Sequence, residues 1–137
     1  MAKYLIDKSA FARIRLPVVG DRLEPLIVQG RIAVTGIGMI EILFSAQNAF
    51  DFENDRSFLS YMPRVSVTER IIDRALDIQQ LMVRAGTHRA VGVPDLVLAA
   101  CAESHGLTLL HYDSDFDLIA EVTDQPTEWV VPAGSVS

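Results

Sequence analysis

Short apolar runs alternate with helix-length segments along this chain, and that alternation restricts its fold more than any other feature. YLI (4–6), RIAVTG (31–36), LTLLHY (107–112) and EWVV (128–131) read as strands, with RVSV (64–67) a shorter candidate. Between them lie helical patterns. SAFARIRL (9–16) opens a helix that Pro17 is expected to stop. Residues 21–29 place Leu23, Leu26 and Ile27 on one face, with Gly30 at the end. Residues 37–50 carry Ile37, Ile40, Leu43 and Phe44 near helical spacing, and residues 51–62 form a further helix. Thr68 is an N-cap for the longest helix, with a face of Ile72, Leu76, Gln79 and Val83 running to about Ala85. A loop spans 86–92. A helix over 94–105 starts on a proline and ends before Gly106. Strands separated in this way by helices predict an α/β fold with a mainly parallel sheet. With 137 residues and no repeat or linker, the whole chain, 1–137, is expected to be one domain.

Against this apolar background four acidic residues stand out. Asp7 ends KYLID, Glu41 lies inside GIGMIEILF, Asp95 inside VPDLVLAACA, and Asp113 opens the acidic stretch after LTLLHY. A carboxylate beside or within an apolar segment is costly to bury unpaired. In an open α/β sheet, ligands bind at the carboxyl ends of the strands. Asp7 and Asp113 each follow a strand directly, and Asp95 sits in the first turn of a helix entered from the same edge. Glu41, one helical turn into its segment, can reach inward. Each residue also has a plainer role open to it. Asp7 can cap the next helix, Asp95 can complement a helix dipole, Glu41 can face solvent, and DSDFD can form a solvated turn. Convergence on one cation explains all four together. Oxygen ligands without Cys or His partners select Mg²⁺, with Mn²⁺ as the alternative, over zinc.

The segments YLIDKSA, GMIEILFSA, PDLVLAACA and LLHYDSDFDLIA, in this order and spacing, resemble the PIN-domain ribonucleases, and most closely the VapC toxins of toxin–antitoxin pairs. The resemblance spans essentially the whole chain. It implies a PIN-like fold, with a parallel sheet flanked by helices. It implies metal-binding and catalytic roles for Asp7, Glu41, Asp95 and Asp113, and a further metal-binding acid at Asp115. Ser9 matches a small hydroxyl residue that orients the first Asp, whereas Lys8 falls at a variable position and receives no role. The resemblance also implies a homodimer, an RNA substrate, and inhibition by a VapB-type antitoxin. For the dimer, Phe44, Phe50, Phe58, Leu59 and Met62 are the candidate face. A PIN-like module that binds RNA or protein without cutting is the alternative from another class.

Other features narrow the choice. DSDFDL begins like a calcium loop, but Leu118 stands where the sharp turn requires Gly. A haloacid-dehalogenase phosphatase or a receiver domain needs a later lysine, and Lys8 is the last one here. The three histidines lack metal-ligand spacing, and His111 is expected to be packed at a strand end. A net charge of −6 argues against holding nucleic acid by bulk positive charge. Ten of the twelve basic residues are arginine, which suits bidentate phosphate contact. Arg13 and Arg15 are candidate orienting or substrate contacts, and Arg84, His88 and Arg89 form a second basic group. The lone Cys101 sits in an apolar run and reads as a buried small hydrophobe. With one cysteine no disulfide can form within the chain, so a cytoplasmic location is expected; Asp7 comes too early for a signal-peptide apolar region, and no apolar run reaches the ~18 residues of a span.

Overall fold

The computed structural model describes residues 1–137. Its elements run β1 (Tyr4–Ile6), α1 (Lys8–Phe11), α2 (Pro17–Val28), β2 (Ile32–Ala33), α3 (Gly36–Phe44) and α4 (Ala49–Ser60). They continue as α5 (Glu69–Ala85), α6 (Val93–Ser104), β3 (Thr108–His111), α7 (Asp115–Thr123) and β4 (Thr127–Trp129). The strands form one sheet in the order β2-β1-β3-β4, every pairing parallel. The register sets Ile6 beside Leu110 at the carboxyl ends of the two central strands.

All three residues of YLI are buried because helices cover both sheet faces, which is why the strands read as continuous apolar runs. Leu5, Ala33 and Leu109 point to one layer, where they meet Ile78 and Met82 of α5, Ala99 and Cys101 of α6, and Phe116 of α7. Tyr4, Ile6, Ile32 and Leu110 point to the other, against Phe11, Leu23, Met39, Ile42 and Leu59. No helix is long and apolar enough to cross a membrane.

Several local expectations change. Pro17 does not stop the first helix, which ends at Phe11; it occupies the first turn of α2, where its missing N–H costs nothing. The 37–50 helix is broken. α3 ends at Phe44, and Asn48 starts α4 by accepting the Asp51 N–H at 2.8 Å, so Phe50 belongs to α4. The Thr68 cap of α5 is present, its Oγ1 accepting the Ile71 N–H, but the buried stripe is Ile71, Ala75, Ile78 and Met82. Leu76 and Val83 are exposed. RVSV makes only a bridge from Arg64 to Val34, because the Ser66 carbonyl turns away toward Cys101 and His105. Of EWVV, Glu128 and Trp129 belong to β4 and pair with Leu110 and His111, the Val130 N–H makes a last bond to the His111 carbonyl, and Val130 and Val131 enter the core beyond the strand. Leu59 and Met62 are interior residues and cannot serve a dimer face; Phe44, Phe50 and Phe58 are exposed.

Candidate metal centre

Asp7 begins where β1 stops. Its N–H still donates to the Leu110 carbonyl at 2.9 Å, so the sheet itself fixes the residue's position. The side chain then caps α1. Oδ2 accepts the Ser9 N–H at 2.9 Å and the Ser9 hydroxyl at 2.5 Å. The cap uses only one oxygen. Asp7 is 1% exposed, and its Oδ1 has no donor from the chain. A buried carboxylate oxygen left this way costs on the order of 1–3 kcal/mol unless another positive group satisfies it. Burial pushes the Asp7 carboxyl above its ordinary range, the Ser9 hydrogen bonds oppose this, and the charges of Glu41 and Asp113 add to it.

Across the β1–β3 seam, the Tyr112 N–H donates to Ser9 Oγ at 2.8 Å, so one hydroxyl ties together the ends of both central strands. Asp113 follows. Its N–H donates to His111 Nδ1 at 3.1 Å, and its Oδ1 accepts the Asp115 N–H at 2.9 Å, turning the chain into α7. His111 is fully buried between Phe116 and Trp129, with ring centroids 5.0 and 5.1 Å away, and is a packed strand-end residue. Asp95 enters from the first turn of α6. Asp95, Asp113 and Asp115 converge, each offering one carboxylate oxygen, with all three oxygens within 4.8 Å of one another. A divalent ion with ligands at ~2.1 Å spans ~4.2 Å between opposite oxygens, so carboxylates whose oxygens lie within 4.8 Å of one another need to close by at most about 0.6 Å to share one coordination sphere.

Asp7 and Glu41 lie outside this tightest triplet but close enough for their charge to act on it. The Asp95 carboxyl rises from 3.8 to about 7, through burial first and then the charges of Asp7, Asp113, Glu41 and Asp115. The crowding itself calls for a cation. The residues therefore fit a hard divalent metal on three counts: an all-oxygen donor set, an orphaned buried Asp7 oxygen, and mutual repulsion centred on Asp95.

Glu41 is held by Lys8, whose Nζ lies 3.2 Å from Glu41 Oε2. Lys8, to which the sequence alone assigns no role, is marked there only by its adjacency to Asp7. Arg13 is committed within the chain: it donates to the Ser9 carbonyl at 2.7 Å and the Ser137 carbonyl at 3.1 Å, and it stacks on Tyr112 at 4.5 Å. Tyr112 is a second residue that sequence reasoning missed. Its hydroxyl donates to the Val136 carbonyl at 2.7 Å and accepts the Val136 N–H at 3.1 Å. Arg15 is exposed on the groove beside the site, and Arg84, His88 and Arg89 are solvent-facing. That groove, about 1060 Å³, runs from Lys8, Ser9 and Glu41 over Phe11, Phe44 and Phe58.

The fold and this acidic edge define a class. The PIN domain family matches residues 4–122, and the chain belongs to it. It is 43% identical over 134 residues to Ribonuclease VapC51 of Mycobacterium tuberculosis (strain ATCC 25618 / H37Rv), spanning 98% of this chain and 97% of that one. Ribonuclease VapC21 of the same species is also 43% identical, over 137 residues and 97% of each chain. Among solved structures, DNA-bound VapBC from Salmonella typhimurium aligns at a TM-score of 0.75 with 18% identity, covering 96% of this chain and 100% of that one. VapBC-1 from nontypeable Haemophilus influenzae aligns at 0.74 with 19% identity, covering 93% and 97%. At such identities the likeness concerns the fold.

Proposed function

We propose that this chain, acting as one domain over residues 1–137, is a Mg²⁺-dependent endoribonuclease, the toxin of a toxin–antitoxin pair. The observation that carries this reading is the meeting of Asp95, Asp113 and Asp115 beside the orphaned Asp7 oxygen, in a chain so similar to ribonucleases of the VapC group. Asp7, Asp95, Asp113 and Asp115 would hold the metal, with Glu41 alongside; Mn²⁺ suits the same donors. Bound there, the ion supplies charge stabilisation for the scissile phosphate and a water of lowered pKa. The protein's own part is placement. Ser9 fixes Asp7 and joins it to Tyr112, which keeps the carboxylates of two strands in one arrangement before RNA arrives. Asp95, whose carboxyl titrates at about 7, would release its proton to solvent in order to hold a cation. Arg15, on the adjacent groove, is the free arginine for the RNA backbone, whereas Arg13 orients Ser9.

The partner follows from the groove. Its apolar residues Phe11, Ile14, Phe44 and Phe58 lie among Asp21, Glu24, Glu41, Asp51 and Asp55. A small antitoxin of the VapB type, with apolar anchors and a basic residue aimed at the carboxylates, suits this surface. The solved neighbours are VapBC complexes. Exposed Ile40, Phe44 and Phe50 support a homodimer as well. A cytoplasmic location fits an RNA substrate.

The deciding experiment is cleavage of RNA by purified protein in Mg²⁺ and in EDTA, with Asp7→Asn as control. Cleavage that needs Mg²⁺ and is lost in Asp7→Asn is expected. RNA bound but left intact in Mg²⁺ would favour the non-catalytic PIN-like module instead.

A further inference from the structure

Five carboxylates border the site, and one divalent ion leaves most of their charge uncompensated. Only three ion pairs occur in the structure: Arg22 with Glu128, Arg74 with Glu103, and Lys8 with Glu41. Lys8 is thus the one basic side chain paired with a carboxylate of the site. It is also the residue directly after Asp7, placed there by the first turn of α1, which packs beside α3. The pair is unlike a surface bridge on its acidic side. Glu41 is the sole charged residue of α3, and its side chain is only 17% exposed. An ammonium group has three donors; Lys8 pairs with Glu41 and, half-exposed, also lines the groove beside Ser9. Arg13 is turned elsewhere: it donates to the Ser9 and Ser137 carbonyls and stacks on Tyr112, and it pairs with no carboxylate of the site.

Resting on the metal-dependent nuclease reading, we infer that Lys8 is the built-in second cation of the site: it holds Glu41 as its counter-ion, leaves room for one metal ion rather than two, and receives a phosphate oxygen of the RNA from the groove side. Glu41 is then a positioning residue for Lys8 and not a metal ligand. The ammonium would supply to a bound phosphate the positive charge that a second ion supplies in a two-metal nuclease, without forming or breaking a bond.

The test is titration with Mn²⁺ by calorimetry, paired with RNA cleavage kinetics, on wild type, Lys8→Met, Lys8→Arg, Glu41→Gln and Asp113→Asn. Wild type is expected to bind one Mn²⁺. Glu41→Gln should keep that affinity within about threefold, while Asp113→Asn weakens it tenfold or more. Lys8→Met should either take up a second Mn²⁺ or bind the first several-fold more tightly, with kcat/KM for RNA down tenfold or more. Lys8→Arg should restore most of that loss. Two Mn²⁺ ions in wild type, with one lost in Glu41→Gln, overturn the inference, as does a Lys8→Met protein indistinguishable from wild type in both measurements. If wild type cuts no RNA, the nuclease reading fails, yet the calorimetric comparison of wild type, Lys8→Met and Glu41→Gln still decides whether Lys8 occupies a cation position.

Discussion

Asp95→Asn should stabilise the metal-free protein, and the gain should depend on pH in a way that identifies its cause. In the folded chain Asp95 holds its proton up to about 7, against 3.8 without its surroundings. The folded state therefore binds that proton more tightly than the unfolded state. The contribution is intact below about 3.8 and is lost progressively as the pH rises toward about 7. A displacement of about three pH units corresponds to a ceiling of ~4 kcal/mol at ~1.4 kcal/mol per unit. Water at the partly open rim, and sharing of the proton among neighbouring carboxylates, reduce this to roughly 1–2 kcal/mol. Asn keeps the shape of the protonated acid and cannot ionise. In EDTA near pH 8 the variant should melt roughly 3–8 °C above wild type, and near pH 4 the two should nearly coincide. Millimolar Mn²⁺ should raise the wild-type melting temperature and move the variant far less, because only the wild type regains a ligand. A difference between the two proteins that stays constant from about pH 4 to pH 8 in EDTA would refute the reasoning, since it would show that Asp95 is not crowded by charge.

Ser9→Ala removes the hydroxyl hydrogen bond that favours the charged form of Asp7 and leaves the backbone N–H bond in place. The acid limb of the cleavage–pH profile should move upward, with kcat reduced more than KM; an unmoved limb means Ser9 does not tune Asp7. Gly20→Ala would put a Cβ 2.7 Å from the backbone carbonyl of Ile14. Urea unfolding should show a loss of about 1–3 kcal/mol from this forced shift at the α1–α2 junction, and an unchanged midpoint would contradict the packing. Cys101 is fully buried, and burial alone raises its thiol to about 11. Iodoacetamide near pH 8 should leave the native protein unmodified and label it rapidly in urea.

The parallel sheet was legible because its central strands are short, apolar on both faces and separated by capped helices. Asp7 and Asp113 could be placed from sequence for the same reason: each follows a strand, and strands have definite ends. Residues whose positions depend on how helices meet were harder. In α5 two adjacent stripes are largely apolar, one through Ile71 and Ile78 and one through Ile72 and Leu76, and packing against α6 and α7 selects the first. Helical spacing carries on across the α3–α4 break, which rests on a single Asn48 cap. Within the site, Asp115 joins Asp95 and Asp113 because a backbone turn at Asp113 brings it there. Glu41 is drawn instead to Lys8, a pairing set by the approach of α1 and α3 that no spacing along the chain encodes. The clasp of Tyr112 on Val136 is likewise a tertiary event.

The parallel pairing of β1 with β3 has a consequence in time. These neighbouring strands come from opposite ends of the polypeptide, and Ser9 meets the Tyr112 amide only once they are aligned. A growing chain emerging from a ribosome carries Asp7 early but has nothing to set it against until Asp95, Asp113 and Asp115 have also cleared the exit tunnel. Under the proposed toxin role, the nascent protein stays harmless to the machinery synthesising it. The hazard begins only when that later segment has folded against β1, and an inhibitor already made can capture the molecule as its acidic edge first closes.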